Sequence, residues 1–549
     1  MAEMLHFSLK THPFYEVKIM FSQIIVPAGN SLLLSFLLAA APIMVTLIMM
    51  GVLRRPAWQS TLGGLTLGLI LAVTVWGMPV TTAFSSLTNG MVFAIFPVMW
   101  IAISAIFLFN VAKETGRFDA FRAWILTNIP NDRRIILIVI GFCFSSALEG
   151  VAGFGSPIAI TSALLIMLGF PALEAISYVL IFNAAAAAYG ALGIPITVLG
   201  SITGLPAPLL ASTAGLLMAP VSALMPFYVM ILYAGWRSVR ELWPVILVAS
   251  LSFTVSMVLV TMFVSYNLTD ILAPCTSLIL TIGFLHFWKP KTNAAYAITE
   301  DINHSVDENI PKWHGWIPWV VVTIMVVIWS VFHIAKMGAI TVHWPGLDNK
   351  VFITLYHKPY AALWTLEPLG TGTAIFLSAL ITAVLTKASL HQLKTALFTT
   401  ARQGWLAVIT VSLTIGFSFL MNYSGMTYTL GFAIASTGAI FPLVSVFLGW
   451  IGVFLTGSDT ACNALFGNLQ VSAANQLNLD PTLFASVNAA GGGMGKTISP
   501  QNIATGVSVT TLKGQEGVVL ARTIKHSLFF TCLMAALVVI WQHLGIKLG

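Results

Sequence analysis

A polar, glycine-rich pattern occurs twice in this otherwise apolar chain, about 305 residues apart, and each copy falls where a membrane helix would have to run unbroken. The first copy reads LEGVAGFGSP (Leu148 to Pro157) and then FNAAAAAYGALGIP (Phe182 to Pro195). The second reads LTGSDTACNALF (Leu455 to Phe466) and then VNAAGGGMGKTISP (Val487 to Pro500). Asn183, Gly190 and Pro195 keep the spacing of Asn488, Gly495 and Pro500. Matched segments interrupted by Gly and Pro in corresponding halves point to a transporter whose substrate site lies at the bilayer midplane.

Composition sets the frame for that reading. With 58% hydrophobic and 8% charged residues, the 549-residue chain is not a soluble globular protein. Leu32 to Val52 and Val320 to Ile334 are almost continuously apolar, which excludes the alternation of a barrel strand. The expected fold is an all-α polytopic membrane protein with about 12 to 14 transmembrane segments, at roughly 20 residues each, and two inverted repeats containing broken or re-entrant helices. Clear spans lie near 31–52, 61–77, 90–111, 209–233, 242–265, 270–287, 316–335, 371–386, 404–421 and 527–544. The division expected is an extracytoplasmic tail (1–30), a first transmembrane half (31–288, motif 148–203), a cytoplasmic linker (289–314) and a second half (315–549, motif 455–506). Trp313, Trp316 and Trp319 suggest an interfacial belt. Leu390, Leu393 and Leu397 suggest a short helix lying in the interface.

The net charge of +7 does not mark a nucleic-acid binder, because the basic residues are scattered over short loops. They report orientation instead. Arg54 and Arg55, the Lys113 to Arg134 loop, Arg237 with Arg240, Lys289 to Lys312, Lys387 to Arg402 and Lys513 to Lys525 are placed in the cytoplasm by the positive-inside rule. Both termini are then extracytoplasmic. The first thirty residues show no cleavage site, so the first span is expected to act as an uncleaved anchor. Cys143, Cys275, Cys462 and Cys532 are scattered through apolar stretches and read as buried hydrophobes, with no metal site and no cofactor implied.

In hydrocarbon, a broken helix survives only where it lines a cavity or is buried in protein, and its freed N–H groups and helix N-termini suit a small anion. Gly150, Gly153 and Gly155 before Pro157 and Gly491, Gly492, Gly493 and Gly495 before Pro500 are placed for this role; close helix packing through small residues is the alternative. Glu149, Asp459 and Lys496 are the ionisable residues that hydropathy puts farthest from loops, which makes them functional candidates. Lys496 would attract a carboxylate, and Glu149, or else Asp459, would carry a proton; an internal Lys–carboxylate pair is the competing arrangement. Asn183, Asn488, Ser458 and Gln501 offer amide and hydroxyl groups to a carboxylate or a hydroxyl, or serve as interhelical glue. AGGGMGKT (Ala490 to Thr497) has an alanine at the first P-loop glycine and no α/β domain around it, so nucleotide hydrolysis is not expected.

Four segments are similar to the signature segments of the bacterial L-lactate permease family: LEGVAGFGSPIAIT (from Leu148), NAAAAAYGALGIP (from Asn183), LTGSDTACNALFGNLQ (from Leu455) and GGGMGKTISPQNIATG (from Gly491). The resemblance runs along essentially the whole chain. It implies a secondary transporter of the bacterial cytoplasmic membrane that imports lactate with protons and also takes related 2-hydroxy acids such as glycolate. The run Ala184 to Ala188 departs from the family tendency toward Pro or Val there. Sodium coupling and an anion channel lined by Lys496 are the rival readings. An intramembrane enzyme has neither an HExxH nor a GxSxG motif behind it.

Overall fold

The computed structural model describes residues 20–51, 53, 55–152, 156–290, 293–297, 310–354, 358–508, 510, 512 and 515–545. Gly153, Gly155, Arg54, the first nineteen residues of the expected tail and much of the 289–314 linker lie outside the described residues.

Helices dominate, because in hydrocarbon only a helix or a closed barrel satisfies every backbone polar group. Among the described residues, nine helical stretches are long and apolar enough to cross a membrane, or ten if one bent pair counts as a span. The longest, Ala207–Phe263, runs to 57 residues. It accommodates the two expected passes because Gly235 turns the chain between them at φ 73°, ψ 174°, a conformation that essentially only glycine adopts. Arg237 and Arg240 flank that turn.

The expected short interfacial helix is instead the start of one helix, Leu390–Ser424. Ser389 and Gln392 form a capping box at its N-terminus, and no proline interrupts it. At 1.5 Å per residue it is about 52 Å long, well beyond a ~30 Å hydrocarbon core. Its first turns, with Leu390 and Leu397 exposed, therefore extend past the span itself. The tryptophan belt also changes: only Trp313 is exposed. Trp316 stacks edge-on against Phe121 and Trp124, and Trp319 is buried beside Phe121, because their spacing turns both rings toward the Arg117–Thr127 helix.

One end of the bundle carries short strands that the sequence reading did not anticipate. Ile340–His343 pairs antiparallel with Leu363–Leu366. Val351–Ile353 lies between Phe21–Ser22, parallel, and Lys358–Pro359, antiparallel. Gln23, at the end of the expected tail, is buried and donates from Nε2 to the carbonyls of Asn422 and Tyr423 at 2.8 and 3.0 Å. The end of that segment is thereby tied to the bundle.

Both broken motifs sit in the protein interior. A continuous apolar core runs from Ala94 to Val538 and takes residues from both halves, and a smaller one joins Ala39 to Leu87 with Phe417 to Leu469.

Candidate functional site

The first motif breaks within its second segment. Glu149 lies on the helix Ser145–Ala152, and the next described residues form the helix Ser156–Met167. Next, Ala172–Asn183 gives way to a helix beginning near Ala187 that is bent by 65° and runs to Thr203. A second kink inside that segment holds three successive left-handed residues, Ala191, Leu192 and Gly193, with φ of 46°, 60° and 76°. Left-handed backbone costs about 1–2 kcal/mol at each residue with a Cβ, so a run of this kind persists only when its surroundings impose it. Asn267 does so by donating from Nδ2 to the Leu192 carbonyl at 2.7 Å, and the Tyr266 ring covers Gly193. Asn463, from the second motif, donates to the Pro195 carbonyl at 3.0 Å, so each motif braces the other.

The second motif breaks at Gly457, which ends Phe441–Thr456, and again at Thr497 to Ser499, between Pro481–Lys496 and Pro500–Ser508. Ser458 caps Asp459–Gln476 by accepting from the Ala461 N–H at 3.3 Å, which leaves Asp459 in the first turn. The glycine cluster does not unwind the chain: Pro481–Lys496 stays helical through Gly491 to Gly495. These glycines serve close packing. A Cβ on Gly491 or Gly495 would meet the Val446 or Trp450 carbonyl at 2.5 or 2.2 Å.

Between the motifs lies a cavity of about 60 Å³ lined by Glu149, Gly190, Pro195, Ser458, Asp459, Lys496, Gln501 and Asn502, among others. At ~10–15 Å³ per water it holds about four to six waters, the scale of a small hydroxy acid. Lys496 Nζ donates to Glu149 Oε1, an ion pair joining residues 347 positions apart, with Glu149 2% and Lys496 6% exposed. Asn183 donates from Nδ2 to Glu149 Oε2 at 2.9 Å, and its own Oδ1 is buried without a partner among the described residues. Asp459 faces Gly492, and its Oδ1 is likewise buried without a partner. Lys496 is the one cation on the cavity wall among the described residues.

The expected site residues therefore divide. Glu149, Asp459, Lys496, Ser458 and Gln501 line the cavity, and Asn183 stands one hydrogen bond behind Glu149. Gly493 packs against the Ala184 carbonyl, at 3.2 Å from a would-be Cβ, and is not among the lining residues. Asn488 is not brought to Asn183. It belongs to a polar chain in which Gln470 donates to Asn488 Oδ1 at 3.2 Å and Asn488 Nδ2 donates to Asn463 Oδ1 at 2.9 Å. The matched asparagines thus occupy corresponding positions in sequence but different environments.

One ionisable residue escaped the sequence reading. Asp270 is 2% exposed, its Oδ2 lacks a partner, and it lies within electrostatic reach of Glu149, Asp459 and Lys496. It sits at the edge of an apolar stretch, where a charge is normally solvated. The available signal was a second polar residue, Asn267, one turn before it.

A cation paired across two matched motifs, beside two further carboxyls and a solvent-sized cavity within an apolar helical bundle, defines a multi-pass membrane transporter. The comparisons with known proteins agree. A family model described as L-lactate permease matches residues 35–545, and the chain belongs to that family. It is 36% identical to an L-lactate permease of Bacillus subtilis, over 95% of this chain and 98% of that one. It is 34% identical to the glycolate permease GlcA of Escherichia coli, over 95% and 98%. The fold is similar to the crystal structure of the YdaH transporter of Alcanivorax borkumensis, with a TM-score of 0.50 at 14% identity, covering 90% of this chain and all of that one.

Proposed function

We propose that this chain is a secondary active transporter importing L-lactate and related 2-hydroxymonocarboxylates, D-lactate and glycolate among them, by proton symport across the bacterial cytoplasmic membrane, with both termini on the outer side. The names of its relatives support the substrate class. The observation that carries the coupling is the buried ion pair between Lys496 and Glu149 on the cavity wall.

An entering carboxylate competes with Glu149 for Lys496. Asp459 already places an acidic group at the N-terminus of Asp459–Gln476, so the ammonium, rather than that helix end, is the anchor for a second anion. Once the substrate takes Lys496, Glu149 is left as a buried carboxylate without its counter-charge. An unpaired charge there costs several kcal/mol or more, and protonation removes it. Each anion bound thus recruits one proton, and the loaded site is no more charged than the empty one. Asn183 keeps its hydrogen bond to the other Glu149 oxygen and so holds the acid in place through the exchange. Ser458 and Gln501 are positioned on the wall to meet the 2-hydroxyl.

Proteoliposomes given either a proton or a sodium gradient test the proposal. Lactate accumulation on the proton gradient alone, with one proton taken up per lactate, is the expected result. Accumulation that requires sodium, or a flux that neither saturates nor accumulates, overturns it.

A further inference from the structure

We infer that Asp270 is the relay through which a proton reaches Glu149 from the strand-bearing end of the bundle, by a route separate from the substrate's. The inference rests on the proton-symport reading above.

Glu149 is buried, and in the structure its carboxylate is closed in by Lys496, Asn183 and Gly190. A proton approaching through the substrate cavity would have to pass the bound anion. On the other side of Glu149 the packing differs. Its neighbour Gly150 lies directly against Asp270: a Cβ there would stand 2.2 Å from the Asp270 carbonyl oxygen and 3.1 Å from its Cβ. The Asp270 carboxyl is buried, yet among the described residues its Oδ2 has no hydrogen-bond partner, an arrangement that needs an explanation in a well-packed interior.

A second cavity, of about 320 Å³, begins one turn away. Exposed His333 and Lys336 stand at its rim, half-buried Ser265 and Tyr266 follow, and buried Asn267 and Thr261 complete the inner wall. Thr261 shares a hydrogen bond of 3.2 Å with Thr269, the residue before Asp270. Asn267, in the turn Tyr266–Leu268, stands three positions before Asp270, which lies in the first turn of the helix Thr269–Phe287. The titratable groups within reach of Asp270 are Glu149, Asp459 and Lys496, with the Tyr189 hydroxyl behind. The proton balance is simple. A hydronium ion entering this cavity from the acidic side gives its proton to the Asp270 carboxylate and leaves as water, the proton passes to the Glu149 carboxylate released by Lys496, and the Asp270 carboxylate is regenerated.

The test uses the full-length protein in proteoliposomes, comparing wild type, D270N and D270E. Lactate exchange against lactate moves no net proton, whereas uptake driven by a pH gradient does. D270N should keep exchange near the wild-type rate, while its gradient-driven uptake falls on the order of a hundredfold and loses its rise at acid pH, the scale of a lost proton-transfer group. D270E should restore both the rate and the pH profile. The relay is overturned if D270N retains the wild-type pH profile, or if both variants lose exchange and driven uptake together. If wild-type protein takes up no protons with lactate, the symport reading fails and the relay fails with it.

Discussion

Gly190 lies against the Glu149 carboxylate: a Cβ at that position would stand 2.7 Å from Oε1, the oxygen that Lys496 holds. The repeat places Gly495 in the matching position, where a Cβ would meet the Trp450 carbonyl at 2.2 Å instead. One spacing therefore serves two purposes, room for an ion pair in the first copy and helix packing in the second.

Gly190→Ala should displace the Glu149 carboxyl from Lys496 without touching the substrate route elsewhere. Uptake assays should show a large loss of transport, on the order of tenfold or more, as expected when a binding constellation is shifted by about an ångström. Unchanged uptake would show that the ion pair tolerates displacement.

Removing one partner of a buried pair leaves the other charged and desolvated. Lys496→Met alone should destabilise the protein by about 3–5 kcal/mol, and adding Glu149→Gln should recover most of that loss. Thermal unfolding in detergent measures both. Neither variant should accumulate lactate, because each has lost the anion's anchor.

Glu149→Gln alone separates binding from coupling. It should retain lactate exchange yet lose accumulation against a gradient, and exchange should no longer depend on pH. A variant that still concentrates lactate would move the coupling role to Asp459, whose Oδ1 is buried without a partner.

Asn488 and Asn463 form one polar chain ending on the Pro195 carbonyl. Each single alanine variant should cost about 1–3 kcal/mol by leaving buried groups unsatisfied. The double variant should fall short of the sum by roughly 0.5–3 kcal/mol, a coupling that a double-mutant cycle detects.

Outside the membrane, burial pushes the Asp348 carboxyl up, but His343, which donates at 2.8 Å, together with the Ala362 N–H and Asn349, outweighs this and holds it below the usual carboxylate range. A folded value below the unfolded one means that the stabilisation is present above the ordinary carboxylate range and is lost as pH falls through the folded value. Hydrogen-exchange protection in the Ile340–His343 and Leu363–Leu366 strands, corrected for the intrinsic rate at each pH, should therefore fall at acid pH, and Asp348→Asn should remove that acid step.

Hydropathy and the repeated motif disclosed much of this architecture because each rests on a local cause. Apolar length marks a span, and Gly with Pro marks a break. The motifs also disclosed Glu149, Asp459 and Lys496, since a charge in hydrocarbon stands out. What stayed hidden depends on partners distant in sequence. Nothing local tells Gly190, which makes room for a carboxylate, from Gly495, which packs on a carbonyl. Asn183 and Asn488 look equivalent until Glu149 and Asn463 claim them. Asp270 lay at an apolar boundary, and only the approach of Gly150 shows that this boundary is interior. The strands of residues 340–366 carry too few residues to leave an alternating pattern.

The grip of Gln23 on the backbone at Asn422 and Tyr423 spans 399 positions of chain. During synthesis, at about 5–20 residues per second, this glutamine emerges roughly 20–80 s before its acceptors exist. The Gln23 amide thus finds these acceptors only late in synthesis, and a truncated product ending before residue 422 would leave it without them.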